Sequence, residues 1–222
     1  MLKLKLVLTK QNMKKIIKCF YLGILSVMLL FFYSINAYAA SDAQKKEFMN
    51  NHSEILKSIK ECSESVNKKG DIRIDFLEEV IHYNDIQICM AENIIKYTDN
   101  KEIRNLAKQL IRDSMDCSTE INEILYNTNR SPLINKELEE KYINEYIKLY
   151  NKMILNIECK HHEDSIEKIF VTASINHHES LIELTEIFCK YSDDKNMVET
   201  AKDIKNKNSK EIKKLKNISK KL

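Results

Sequence analysis

Between Phe170 and Phe188 the apolar residues return every three or four positions. Phe170, Ala173, Ser174, His177, Leu181, Leu184 and Phe188 form one stripe, and Val171, Ile175, His178 and Ile182 form a second beside it. That spacing predicts a helix whose face is turned into a bundle. The same two stripes occur earlier, as Phe76, Val80, Tyr83, Gln87, Met90 and Ile94, and as Leu77, Ile81, Asn84 and Ile88. Followed along the chain, the periodicity predicts helices at 42–68, 71–97, 100–127, 135–160, 165–190 and 194–219. Each is about 25 residues and about 40 Å long at 1.5 Å per residue. Capping-box spacings at Ser41 and Gln44, Asp99 and Glu102, and Asp164 and Glu167 mark helix starts. Gly70 and the Arg130-Ser131-Pro132 run supply breaks. Short connections between helices this long force antiparallel neighbours. With 2 Gly and 1 Pro in 222 residues, the turn chemistry that a sheet needs is absent.

The chain also repeats itself. A shift of 94 residues places Phe76 on Phe170, Ile81 on Ile175, Ile88 on Ile182, Tyr97 on Tyr191, Asp99 on Asp193, Lys101 on Lys195 and Ala107 on Ala201. The unit read from this is three helices, present twice, with residues 40–128 as the first copy and 129–222 as the second. His177 and His178 then correspond to Tyr83 and Asn84.

The first forty residues are different. Lys14, Lys15 and Lys18 precede an apolar run over residues 20–35, followed by Ala37 and Ala39 at the spacing of a cleavage site. Residues 1–39 are expected to be a signal peptide. A retained anchor is the other reading, although sixteen apolar residues fall short of the ~20 that span hydrocarbon. Loss of residues 1–39 removes six lysines and no acid, which moves the formal charge from +3 to −3. A basic pI therefore does not point to nucleic acid. Nine lysines remain in the last 21 residues, either a solvated helix face or a surface for anionic lipid or polymer. The cysteines beyond the leader, Cys62, Cys89, Cys117, Cys159 and Cys189, are odd in number and include no C-x-x-C, so no zinc ribbon or thioredoxin motif is encoded. If the first and third helices are neighbours, Cys62 and Cys117 fall nearly level and could pair.

Taken together these residues resemble the CopM-like family, domain of unknown function 305. Its motif sets a Phe, an Ile, a His-His pair and a terminal Met-Ala on one helix, twice, each followed by a helix carrying Ala, Ile, Gln and Glu-Ile. The first copy here keeps Phe76, Ile81, Met90 and Ala91 but has Tyr83-Asn84 at the paired histidines. The second keeps Phe170, Ile175, His177 and His178 but ends in Leu184-Thr185, and its next helix keeps Ala201, Ile204, Glu211 and Ile212 with Asn208 for Gln. The resemblance covers roughly residues 70–219. It implies an exported, ferritin-like four-helix bundle, some of whose relatives bind copper through His and Met.

Neutral imidazole suits Cu, Zn, Fe and Ni, and thioether suits Cu(I). His177, His178 and Met90 would converge if the two equivalent helices pack together, and Glu211 could fix one ring's tautomer. Adjacent helical residues diverge by ~100°, however, so a His-His pair serves two contacts more naturally than one ion. Two readings stand: metal ligands, or core histidines with polar partners. Cys159, His161, His162 and Glu163 offer a separate cluster in a turn. The E-x-x-H at Glu158 and His161 sits at a helix end, which argues against a di-iron centre built on it. Glycine-rich phosphate loops, a nucleophile elbow and H-E-x-x-H are all missing. The expectation is an all-α, duplicated, ferritin-like bundle, exported to the periplasm, cell surface or medium. It is expected to bind a transition metal, copper above others, without catalysis, through His177, His178 and Met90 or through His161 and His162. No nucleic-acid partner is expected, and membrane contact only through the N-terminal segment. A metal-free helical scaffold or envelope-binding protein is the alternative.

Overall fold

The computed structural model describes residues 42–58, 60, 68–157 and 164–222, and every regular element among them is a helix. Residues 42–58 are helical, and the part from Glu47 onward, α1, belongs to the compact unit Glu47–Leu222. The other helices are α2 (Ile72–Tyr97), α3 (Lys101–Asn129), α4 (Lys136–Ile157), α5 (Ile166–Tyr191) and α6 (Lys195–Ser219). The expected bounds of α2, α3, α5 and α6 are met to within a few residues, and the expected ends of the first and fourth helices run into residues that are not described. The expected signal segment, the Ser41 cap, Cys62 and the cluster from Cys159 to Glu163 lie outside the described residues.

Local chemistry explains the helix ends. Two caps sit one residue later than the capping boxes suggest. Asn100 accepts from the backbone N–H of Glu102 and Ile103, and Ser165 from that of Lys168. Asp164 instead pairs with Lys168 at 2.9 Å. Asp71 and Asp194 cap α2 and α6 through the N–H groups that a helix start leaves free. These caps keep the sequence offset of the stripes: Asp71 and Ser165, Thr98 and Ser192, and Asn100 and Asp194 are each 94 residues apart. Helices α2 and α5 have 26 residues each.

At the centre α2 and α5 run antiparallel. Tyr83 meets His177, Gln87 donates to the Ser174 hydroxyl at 3.2 Å, and Phe76 stacks on Phe188 with ring centroids 4.1 Å apart. Every residue of the two first-named stripes is buried, while Ile81, Ile88, Ile175 and Ile182 of the flanking stripes are half-buried. Helix α3 packs on α2, α6 packs on α5, and α4 packs on α5 and touches α2. Phe48 of α1 is buried, and its carbonyl accepts from Asn93. The opposite ends of the central pair are each tied across the bundle. Arg73 reaches Asp194 at 3.1 Å, and the Thr98 hydroxyl donates to Glu167 at 2.7 Å.

Beneath α4 a polar layer enters the core. Gly70 adopts φ +84, and a Cβ there would stand 3.2 Å from the Ile134 side chain, so this turn requires glycine. Its carbonyl accepts from Asn135 and its N–H donates to the buried Glu139. Burial, with Glu139 beside it, raises the carboxyl pKa of Asp75 to about 7. Glu79, one turn on, is pushed up to about 7 by burial, against the pull of the Tyr146 hydroxyl. A carboxyl whose folded pKa is raised contributes stability below its unfolded pKa that is lost as pH rises through the folded one. Glu79→Gln keeps an acceptor for Tyr146 and removes that loss. Relative to wild type the variant should therefore gain stability between pH 4.5 and 7, by about 1.4 kcal/mol per pH unit, and level off above. Urea unfolding midpoints at pH 5, 6, 7 and 8 measure this, and a pH-independent difference would contradict it.

A candidate ligand groove floored by His178

The adjacent histidines part company. His177 is 1 % exposed and points into the α2–α5 contact, where its Nε2 lies 2.8 Å from the Tyr83 carbonyl. A carbonyl only accepts, so Nε2 carries the proton and donates. Nδ1 is buried with no partner. Burial, then the nearness of His178, pulls the His177 pKa down to about 3, which makes it a neutral core imidazole.

His178 looks the other way, between α3 and α6. Four helices in a square would close on a fourth packed edge, but α3 and α6 hardly approach each other. A groove of roughly 460 Å³ fills that edge, with Asn84 and His178 on its floor. Exposed ion pairs join α3 to α6, Lys207 to Glu120 across the groove at 2.8 Å and Lys221 to Glu102 beyond its lining at 2.7 Å. Such pairs contribute little, between 0 and about 1 kcal/mol each, so they do not seal it.

The hydrogen bonds of Asn208 decide what His178 offers. Asn208 Nδ2 donates to the Ile204 carbonyl at 2.8 Å, which turns its Oδ1 toward His178 Nδ1 at 2.6 Å. An amide oxygen accepts, so Nδ1 holds the proton and Nε2 keeps a lone pair. That Nε2 is buried and unpartnered, and so is Oε2 of Glu211, whose other oxygen accepts from Lys214. Burial lowers the His178 pKa, against the opposing effects of Asn208 and the Glu211 charge, and so keeps the ring neutral. Both residues line the groove, and in each one acceptor atom is buried without a donor. On the opposite wall Cys117 is a half-buried free thiol, its pKa raised by burial. Asn84 donates to Ser118 at 3.1 Å.

The expected site residues are thereby distributed. His178 alone of them opens to the groove. Met90 is buried in α2, seven residues past Tyr83 and so about 10 Å along the axis, because the central helices are antiparallel. It is not brought to the pair. His161 and His162 lie outside the described residues, as does Cys62, the expected partner of Cys117. The role expected of Glu211, holding one ring's tautomer, falls to Asn208. Asn208 and Cys117 had a sequence signal. Ser114 and Cys117 interrupt the apolar face of α3 that holds Leu106, Leu110 and Ile121, and Asn208 interrupts that of α6 between Ile204 and Ile212.

The lone pair of His178 Nε2 has the chemistry of an imidazole ligand, and Glu211 that of a carboxylate ligand. Among the described residues no three His, Cys, Asp or Glu side chains stand together as a group that could hold a metal ion. Comparison with known proteins found no matching family model, no matching curated protein and no matching solved structure.

A buried histidine with a lowered pKa contributes stability above its unfolded value of 6.5 that is lost as pH falls below it, because the unfolded chain takes up the proton. His177→Gln retains an amide donor for the Tyr83 carbonyl and cannot titrate. Between pH 6.5 and 4.5 wild type should lose about 1.4 kcal/mol per pH unit more than this variant. Thermal unfolding across that range tests it, and parallel pH profiles would place the titration elsewhere.

Proposed function

We propose that the protein is an exported, non-catalytic binding protein of ferritin-like, duplicated architecture, and that it takes a transition metal ion, copper above others, in the α3–α6 groove. The observation that carries this reading is the buried, unpartnered Nε2 lone pair of His178, held in that tautomer by Asn208. His178 would supply a nitrogen and Glu211 an oxygen, a pair that suits Cu(II). The ion would be cargo, held and released, with no reaction assigned to it.

Two further observations support the architecture. Helix bounds and caps recur at the 94-residue offset, and positions 83, 84, 177 and 178 meet at the middle of the bundle. These are the four positions at which the CopM-like motif carries histidine. Here Tyr83 faces His177 in the core, and Asn84 shares the groove floor with His178. The burial of His177 favours a structural role for that member of the pair, as in the scaffold reading.

The test is a Cu(II) and Cu(I) titration of the reduced, metal-free protein against a competing chelator, beside His178→Gln and His177→Gln. Binding of one equivalent per chain, weakened at least about tenfold (about 1.4 kcal/mol) in His178→Gln and retained in His177→Gln, is the expected result. Retention in His178→Gln would remove the ion from the groove. No binding in wild type would leave the helical scaffold as the function.

A further inference from the structure

Away from the groove, three tyrosines and a histidine stand ring against ring where α2, α4 and α5 meet. Centroids are 5.6 Å apart between Tyr146 and Tyr150, 6.2 Å between Tyr150 and Tyr83, and 5.4 Å between Tyr83 and His177. Each of the three tyrosines is at most 1 % exposed. Two of them are distinguished by what their hydroxyls meet. Tyr150 Oη lies 3.0 Å from His82 Nε2, and the Tyr146 hydroxyl donates to the Glu79 carboxyl. Glu79 and His82 stand three residues apart on α2, and Tyr146 and Tyr150 four apart on α4, so each pair shares a helix face and the helices meet in two rungs. Tyr83 and Tyr142, buried in the same layer, have hydroxyls with no partner.

A backbone carbonyl would satisfy a phenol but could not keep its proton, whereas an imidazole or a carboxylate can. Burial, against the charge of Asp85, lowers the His82 pKa, so this half-buried ring is neutral at pH 7 and keeps one lone pair. A phenol is a stronger acid than a neutral imidazole N–H, so Tyr150 donates on this bond and Nε2 accepts, within the reach that proton transfer needs. Glu79, with a pKa of about 7, is partly ionised near neutrality and is the corresponding acceptor for Tyr146. Loss of a proton alone is opposed, because burial and then the Glu79 charge push the Tyr146 phenol far above its usual range. A phenol that releases an electron together with its proton avoids that buried charge.

We propose that Tyr150 and Tyr146 are a redox-active pair that gives one electron to a small soluble oxidant of the peroxide-derived radical class. In the first step the O–H bond of Tyr150 breaks, its electron passes to the oxidant, and its proton forms an N–H bond at His82 Nε2. The products are a neutral phenoxyl at Tyr150, an imidazolium at His82 and the oxidant reduced by one electron. In the second step Tyr146 passes an electron to Tyr150 and a proton to the Glu79 carboxylate, while His82 returns its proton to Tyr150. The unpaired electron then rests on Tyr146, whose burial keeps solutes away from it. The inference stands apart from the metal-binding reading.

The experiment oxidises the full chain with a photo-excited ruthenium polypyridyl complex and persulfate, which together generate a one-electron oxidant in solution. Tyrosyl radicals are followed by their absorption band and, after rapid freezing, by electron paramagnetic resonance. Wild type is compared with Tyr150→Phe, Tyr146→Phe, His82→Gln and, as a control at an exposed ring, Tyr126→Phe, with circular dichroism confirming that each is folded. The expected result is a long-lived tyrosyl signal in wild type and in Tyr126→Phe. Its yield should fall at least about tenfold in Tyr150→Phe and in His82→Gln, which keeps a hydrogen-bond acceptor but not a base. In Tyr146→Phe the signal should form and then decay faster than in wild type. An undiminished yield in Tyr150→Phe or His82→Gln overturns the proposal, as does loss of the signal in Tyr126→Phe. No lasting signal in wild type, or a wild-type lifetime in Tyr146→Phe, overturns it as well.

Discussion

The antiparallel contact between α2 and α5 is the constraint on which the rest of the bundle depends. Its level is set by large side chains that fit one way, with Phe76 stacked on Phe188 and the Tyr83 ring 5.4 Å from that of His177. Aromatic pairs of this kind gain energy only at defined offsets, so sliding one helix by a turn would forfeit them. With the level set, residues 94 apart in sequence face each other at the centre, and everything outside inherits the arrangement. Helix α3 follows α2 and α6 follows α5, each through a short turn capped by Asn100 or Asp194, so the two outer helices run antiparallel and the end of α6 meets the start of α3 through Lys221 and Glu102.

That arrangement separates two residues adjacent in sequence. A step of ~100° between neighbours sends His177 into the α2–α5 contact and His178 toward α3 and α6. The surroundings then assign opposite chemistry to two identical rings. The Tyr83 carbonyl takes the proton of Nε2 in His177, whereas the Asn208 amide oxygen takes that of Nδ1 in His178. The first ring becomes a neutral packing unit, and the second lines a groove with its Nε2 buried and unpartnered. In both, hydrogen-bond direction is set by a partner that can only accept.

The polar layer under α4 shows the same logic with carboxyls. Asp75, Glu79 and Glu139 are buried among Tyr142 and Tyr146, and burial keeps protons on Asp75 and Glu79 at pH values where they would ionise in water. The Gly70 turn is held through Glu139, which joins the entry to α2 with the start of α4. The histidines lose stability as pH falls below 6.5, and Asp75 and Glu79 lose it as pH rises toward about 7, so over that shared range the two dependences oppose each other.

Much of the helical framework was legible from the chain. Stripe spacing located the helices, and the recurrence at 94 residues located their ends, because helix periodicity and capping depend on residues within a turn of one another. Caps were misplaced by one residue at Asn100 and Ser165, since neighbouring polar side chains can serve equally until the backbone chooses. The inward direction of both histidines was legible too, and the polar interruptions at Ser114, Cys117 and Asn208 were present to be read. What the chain did not disclose is non-local. Whether Met90 reaches the histidines depends on the polarity of the α2–α5 pair, and which ring nitrogen is free depends on Asn208, thirty residues away. The groove exists because α3 and α6 fail to meet, a distance between helices that no local pattern encodes. Sequence determined the helices and their buried faces through interactions of short range. Tertiary structure alone decided which polar groups on those faces found partners and which were left with a lone pair and room beside it.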